Sequence, residues 1–482
     1  MSRKCVVSEV HPRIGGGPSL TVGAPNGAAC VSKRLLDTSP NFRNGVLSEG
    51  PVSAFVSLLR NNHNYRNTWM GQVVSEIGDH FNNVAVFGLV LAHTRSGMVV
   101  TGVMLARAIP AILAGPLAGV VLDRFDRKQV MIASDLMRAV VAAGFILTVN
   151  RSDTWLVYLL SALLMVASPF FSAGRASILP SIATREELHT ANSLTQTTQW
   201  TTLSIGAFLG GASVTQFGFK LAFIANALSF LFSAFCISRL YLPGRGFRPA
   251  RATITEAEVA RPWHEYMEGL RYMRSRPLIL GIGMIALGWA TGGGAAQILF
   301  SIFGELVFNR GPAGIGMIWG CAGVGLLVGG AAAYKIGPRL TFTNYKRAIV
   351  VCYIVHGGSY VIFSQMRNFS LALVFIALSR AAVGMSSVLN MSQLLRHVAD
   401  NYRGRVFATI ESGTWSMMMI SMMLAGIASQ HWDPRTIGAI AGALSSTTAI
   451  FWGWAHVTGR LPEPEREGVD PEEIEVHGEP TI

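Results

Sequence analysis

The sequence predicts an all-α membrane protein with twelve transmembrane helices in two six-helix bundles. Three observations predict it. First, half of the 482 residues are apolar and only 14% are charged, with a mean hydropathy of +0.40. Soluble domains are about 25% charged, so a soluble enzyme is excluded. Second, apolar stretches of about 20 residues, each long enough to cross a bilayer, recur from Trp69 onward. Third, the basic residues are unevenly placed. About 30 of the 39 Lys and Arg fall in the tails and alternate loops, and about six in the other loops. That asymmetry orients the chain with both termini cytoplasmic. It also gives the net charge of +12 a topological reading rather than a nucleic-acid one.

Residues 1–60 are polar and rich in Gly, Ser, Pro and Asn, without the apolar core of a secretory signal. They are expected to be a disordered cytoplasmic tail. The N-terminal bundle is expected over 61–240, with spans near 69–92, 97–121, 129–149, 153–175, 190–213 and 217–240. A cytoplasmic linker follows over 241–277. Trp263, Tyr266, Leu270 and Met273 recur there at helical spacing beside Arg271, Arg274 and Arg276, as in an amphipathic helix lying on the inner leaflet. The C-terminal bundle is expected over 278–458, with spans near 278–303, 313–334, 346–365, 369–391, 404–429 and 435–457. An acidic tail occupies 459–482. The first and eleventh spans are the least apolar, because each carries acidic or amide side chains. The register Asn192–Trp200 at the start of the fifth span is echoed by Phe407–Trp415 in the eleventh, so that Gln196 corresponds to Glu411. Such an internal repeat suits a transporter with its site between the halves.

Ionisable groups inside spans are costly and mark function by default. Glu76, Asp79 and Asn83 lie three and four residues apart and share a helical face that should turn to a central cavity. Asp79 is the first candidate for a proton-carrying carboxylate, with Glu76 and Glu411 beside it. A structural carboxylate paired with a neighbouring helix is the alternative. Arg107 is a candidate partner of Asp79 or counter-ion for substrate. Asn83, Arg380 and Gln196 are further candidates for substrate contact. The triplet Gly292-Gly293-Gly294 fits either a broken helix or close packing. Five scattered cysteines and eleven unpaired histidines give no disulfide framework and no metal site. No Walker, Rossmann or nucleophile-elbow pattern is present, so neither an enzyme nor a cofactor is expected. ATP-driven transport within the chain is likewise unsupported.

The loop after the second span reads Gly115-Pro116-Leu117-Ala118-Gly119-Val120-Val121-Leu122-Asp123-Arg124-Phe125-Asp126-Arg127-Lys128. It resembles the signature loop of the major facilitator superfamily, with Asp126 where the family has glycine. The resemblance implies the major facilitator fold and a cytoplasmic latch. Gly119 would allow close helix approach, and Asp123 would meet the N-terminus of the eleventh span near Arg403-Gly404-Arg405. Arg124, Arg127 and Lys128 would bind the same surface and anionic lipid, and Asp135 and Arg138 would brace the loop. Positive-inside topology alone would also account for those charges.

Three further pieces resemble the branch that contains the enterobactin exporter and the macrolide efflux pumps. They are Trp69–Asp79, then Arg175 with Ile178-Leu179-Pro180 and Glu187-Leu188 leading to Ala191–Leu194, and Glu268–Tyr272. That resemblance implies proton-driven export of an amphipathic small molecule, a siderophore or drug-like compound, from a bacterial-type inner membrane. The expected partners are that molecule, protons and the lipid bilayer; no nucleic acid is expected and the chain is expected to be a monomer. An uptake permease or uniporter of the same fold and a non-transporting accessory protein are the alternatives.

Overall fold

The computed structural model describes residues 51–150, 154–242, 246–248 and 262–463, and every regular element among them is helical. The helices are α1 (Pro51–Asn61), α2 (His63–Thr94), α3 (Gly97–Arg124), α4 (Arg127–Gly144), α5 (Thr154–Ile182), α6 (Arg185–Ser238), α7 (Pro262–Ser275), α8 (Pro277–Ile302), α9 (Gly311–Ile336), α10 (Phe342–Gln365), α11 (Phe369–His397), α12 (Asp400–Ala428) and α13 (Pro434–Val457).

Among the described residues, eight helices are long and apolar enough to cross a membrane on their own: α3, α4, α5, α6, α8, α9, α10 and α11. Hydropathy therefore counts eight, not the expected twelve. The difference has two physical sources. One is α6, whose apolar part runs 49 residues from Thr190 to Ser238 and holds two expected spans. Gly218 divides it with φ +80°, a conformation only glycine adopts without strain. The other is polarity: α2 carries Glu76, Asp79, Asn82 and Asn83, α12 carries Arg403, Arg405 and Glu411, and α13 carries Arg435 and the run Ser445-Ser446-Thr447-Thr448.

Large apolar side chains point outward along the helices, as lipid requires. Leu113 and Leu117 on α3, Val140 on α4 and Ile450 on α13 are each more than 60% exposed. Small residues mediate the inner contacts. α2 packs along α6, α3 and α4 pack on α5, and α4 also packs on α6. In the second half α8 packs on α12 and α13, α10 on α11 and α13, and α9 on α11.

The two halves meet along α6 and α9, from Gly211 and Gly316 to Trp200 and Gly330, and at the end of the molecule that carries the short loops. There α6 lies along α9, and a side chain at Gly316 would strike the backbone of Ala207 and Gly211. Gly97 and Thr101 of α3 abut Ser429 and Gly426 of α12. An apolar cluster including Val84, Phe87, Val100, Phe300, Ile302 and Ile315 seals this end.

The opposite end carries the basic loops. Residues 51–60, expected to belong to the tail, lie in α1. Leu58 is buried there with Tyr65, Ala191 and Leu194. Residues 1–50 lie outside the described residues. The amphipathic segment forms α7, and part of it docks on protein. Tyr272 stacks on Tyr402 at 4.4 Å, Glu268 pairs with Arg405 at 3.0 Å, and Met273 is buried against α8.

Candidate functional site

A cavity of about 910 Å³ lies between the halves. α2 contributes His80, Asn83, Val84 and Phe87; α3 contributes Met104, Arg107, Ala108, Ala111 and Ile112. The facing wall is mostly α12, with Glu411, Ser412, Trp415, Ser416, Met419 and Met422, joined by Trp319 of α9 and Gln297 of α8. Apolar walls with a few convergent polar groups are what a ligand site presents. Asn83, Arg107 and Glu411 thus come together from three helices, as the sequence suggested.

Their electrostatic settings differ. Asp79 lies within electrostatic reach of Arg107 and of Arg138, without forming an ion pair with either. The Arg107 guanidinium also sits 5.9 Å from the Phe87 ring centroid. Glu411 is exposed to the cavity and has no ion pair or hydrogen bond among the described residues. Asp79 stands behind the wall, one position before the lining residue His80. Its Oδ1 is buried without a hydrogen-bond partner among the described residues.

Other expected residues lie elsewhere. Glu76 turns toward α6: Gln72 Nε2 donates to its Oε1 and Thr202 Oγ1 to its Oε2, each at 2.7 Å. Gln196 is exposed and does not line the cavity. The lining residues of α6 are Leu203 and Ala207, two and three turns further along the same face. Arg380 is also outside the lining. It is buried in the second half, 4.9 Å from the centroid of Phe300, one of whose ring neighbours, Trp319, reaches the cavity.

The loop after α3 shows what Asp126 does in the glycine position. Its φ of −64° needs no glycine, and its Oδ1 caps α4 by accepting from Lys128 N at 3.0 Å and Gln129 N at 3.3 Å. Arg127 donates to the Ser177 carbonyl at 2.9 Å and Lys128 to the Leu240 carbonyl at 2.8 Å, within the first half. Asp123 and Arg124 are exposed, and nothing lies within 4 Å of where a side chain at Gly119 or Gly404 would begin. Arg403 donates to Leu395 O at 2.8 Å and Arg405 holds Glu268. Asp135 and Arg138 do not reach the loop; they pair with each other in the interior, with Arg138 between the rings of Phe171 and Phe230.

The glycine triplet of α8 marks close packing, since the helix continues through it and side chains there would strike Ala441 O and Met418 O. His80, Gln297 and Trp319 were not foreseen. They are single residues on separate helices, and only the packing brings them together.

A family profile described as Major Facilitator Superfamily matches residues 67–417. The chain is 23% identical over 392 residues to macrolide efflux protein A of Streptococcus pyogenes, covering 80% of this chain and 92% of the relative. It is 25% identical over 357 residues to the multidrug efflux pump Tap of Mycolicibacterium fortuitum, covering 72% and 85%. Among solved structures, a bacterial homologue of the iron transporter ferroportin in its inward-facing state superposes with a TM-score of 0.59 at 18% identity, over 84% of this chain and 99% of that one.

Proposed function

Because the chain belongs to the major facilitator superfamily, we propose that it is a secondary transporter that exports an amphipathic, drug-like small molecule in exchange for protons. The observation that carries the reading is the cavity itself: both halves wall it, their contacts close one end, and the latch residues stand apart at the other. This arrangement supports an inward-facing state of an alternating-access cycle in an inner membrane, with both termini in the cytoplasm and the basic end cytoplasmic. The span count becomes twelve, six in each half, when α6 is taken as two spans about Gly218 and α2, α12 and α13 as spans with inward polar faces. Efflux relatives support the direction of transport.

The chemistry of the walls supports a compound with a basic group over an anionic siderophore. Glu411 has no internal cation, whereas Arg107 already has Asp79. Trp319 and Trp415 add aromatic faces, which attract cations and cover apolar rings. A substrate cation in the cavity finds its counter-charge in Glu411. Protonation of Asp79 releases Arg107 from its counter-charge and changes the cavity from the other side. Coupling arises because the two facing states hold substrate and proton with different affinities, not because either binds tightly. Each proton that enters through a 100 mV potential contributes about 2.3 kcal/mol.

Inside-out vesicles with an acid interior test this. Labelled macrolide should accumulate inside above its bath concentration, and a protonophore should abolish the excess. Mere equilibration, unaffected by the protonophore, would point to a uniporter and overturn the reading.

A further inference from the structure

Arg380 of α11 is a buried charge that the transport reading does not use. It is 7% exposed and makes no ion pair or hydrogen bond among the described residues. Arginine stays protonated wherever it is placed, so it cannot escape burial by turning neutral. Taking its charge out of water costs several kcal/mol unless something compensates it. The compensation here is aromatic. Its guanidinium carbon lies 4.9 Å from the centroid of the Phe300 ring, and the face of such a ring attracts a cation. Among the described residues, the groups within electrostatic reach of it are the Tyr360 hydroxyl and the His356 ring; no carboxylate is among them.

Packing holds this charge in one place. α9 presses on α11 so closely that side chains at Gly325 and Gly329 would strike the carbonyl oxygens of Ala377 and Ala381, and one at Gly325 would come within 2.9 Å of Arg380 Cβ. The neighbouring Ser379 is tied to α10: its hydroxyl donates to the His356 carbonyl at 3.0 Å and lies 2.8 Å from His356 Nδ1. Phe300 is fully buried and meets Trp319 in a T-shaped contact, with centroids 5.0 Å apart and planes at 78°. Trp319 lines the cavity, as does Gln297, about one turn before Phe300 on α8. Two rings therefore stand between the guanidinium and the cavity. Steps of 4.9 Å and 5.0 Å put the charge within about 10 Å of the Trp319 centroid. On the α12 wall, Glu411 and Trp415 are four residues apart and share a face.

We propose that Arg380 is a specificity-determining residue: its charge, standing behind Phe300 and Trp319, reserves the α8–α9 wall for the uncharged part of the substrate and confines the substrate cation to Glu411 and Trp415. This rests on the reading of a basic substrate above. Trp319 by itself would attract a cation, and Arg380 opposes that attraction. A unit charge about 10 Å away, at an effective dielectric constant of about 20, changes the affinity for a second cation beside Trp319 by more than about tenfold. Arg380 does not line the cavity, so it acts as a positioning residue: it orients the substrate without touching it.

Equilibrium binding of two matched probes tests this. One is biphenyl carrying a trimethylammoniomethyl group at one end, and the other is biphenyl carrying such a group at each end. The unaltered protein should bind the monocation at least about tenfold more tightly than the dication. Arg380→Met should lose most of that preference by gaining affinity for the dication, with monocation affinity unchanged, and Arg380→Lys should restore it. Arg380→Gln replaces the methionine variant if the latter does not bind the monocation. Equal affinity for the two probes in the unaltered protein overturns the proposal. So does a preference that persists in the neutral variants, including variants that weaken both probes alike, as a residue of purely structural importance would produce. Failure of the unaltered protein to bind either probe overturns the reading of a basic substrate, and this proposal with it.

Discussion

Ser421 of α12 sits inside the backbone ladder of α8: its hydroxyl accepts from Ala295 N at 3.0 Å and donates to the Thr291 carbonyl at 2.5 Å. A side chain inserted between residues four apart loosens a helix locally. Here it also joins two helices that contribute to the cavity, through Gln297 on α8 and Met419 and Met422 on α12. α13 grips the same turn, where Ser445 donates to the Trp289 carbonyl at 3.2 Å.

That contact depends on how closely α12 approaches Gly294. A methyl group there would strike Met418 O and come within 2.7 Å of Ser421 Cβ, while one on Gly293 would meet only Trp289 at 3.4 Å. Gly294→Ala should therefore destabilise the protein by about 1–3 kcal/mol, read as a lowered melting temperature in detergent. Gly293→Ala should leave it nearly unchanged.

Asp126 stabilises the loop by capping α4. Asp126→Ala should cost about 0.5–2 kcal/mol, and Asp126→Asn less, because an amide oxygen still caps. Glycine, the residue the family favours, should cost a few tenths of a kcal/mol at the cap itself. Thermal melts of the three variants check the order.

Asp123 makes no contact among the described residues in this state. Asp123→Asn should leave the melting temperature of this state unchanged yet lower the transport rate several-fold, because the cytoplasm-closed state loses its latch. Parallel melts and vesicle transport separate the two effects. A variant that loses both equally would place Asp123 in the fold rather than in the latch.

Glu411 is the cavity group without an internal partner. Glu411→Gln should weaken a cationic substrate by about 10–100-fold, the loss of a hydrogen bond to a charged group, with little change for a neutral compound of similar size. Quenching of indole fluorescence, with Trp319 and Trp415 in the wall, gives both affinities.

Much of this site was legible in the sequence. The three-and-four spacing put Glu76, Asp79 and Asn83 on one face turned to the cavity, but only Asn83 lines it, since Glu76 turns to α6 and Asp79 stands behind the wall; Arg107 and Glu411, singled out by the cost of charge in lipid, do line it. The repeat register misled for Gln196, since equal position in two halves does not give equal depth at the cavity. Asp135 and Arg138 were assigned to the loop because of their nearness to it in sequence. Their spacing of three already allowed them to pair with each other, as they do. The span count fell short for a physical reason, since hydropathy averages a helix and cannot see that its polar face is turned inward.

Substrate-triggered proton movement tests the central claim most directly. Inside-out vesicles with an acid interior and a pH-sensitive dye should show protons leaving when macrolide is added to the bath, and Asp79→Asn, folded and inserted, should show none. Equal proton movement in both would remove Asp79 from the coupling, and none in the unaltered protein, across a panel of basic amphipathic compounds, would contradict the account.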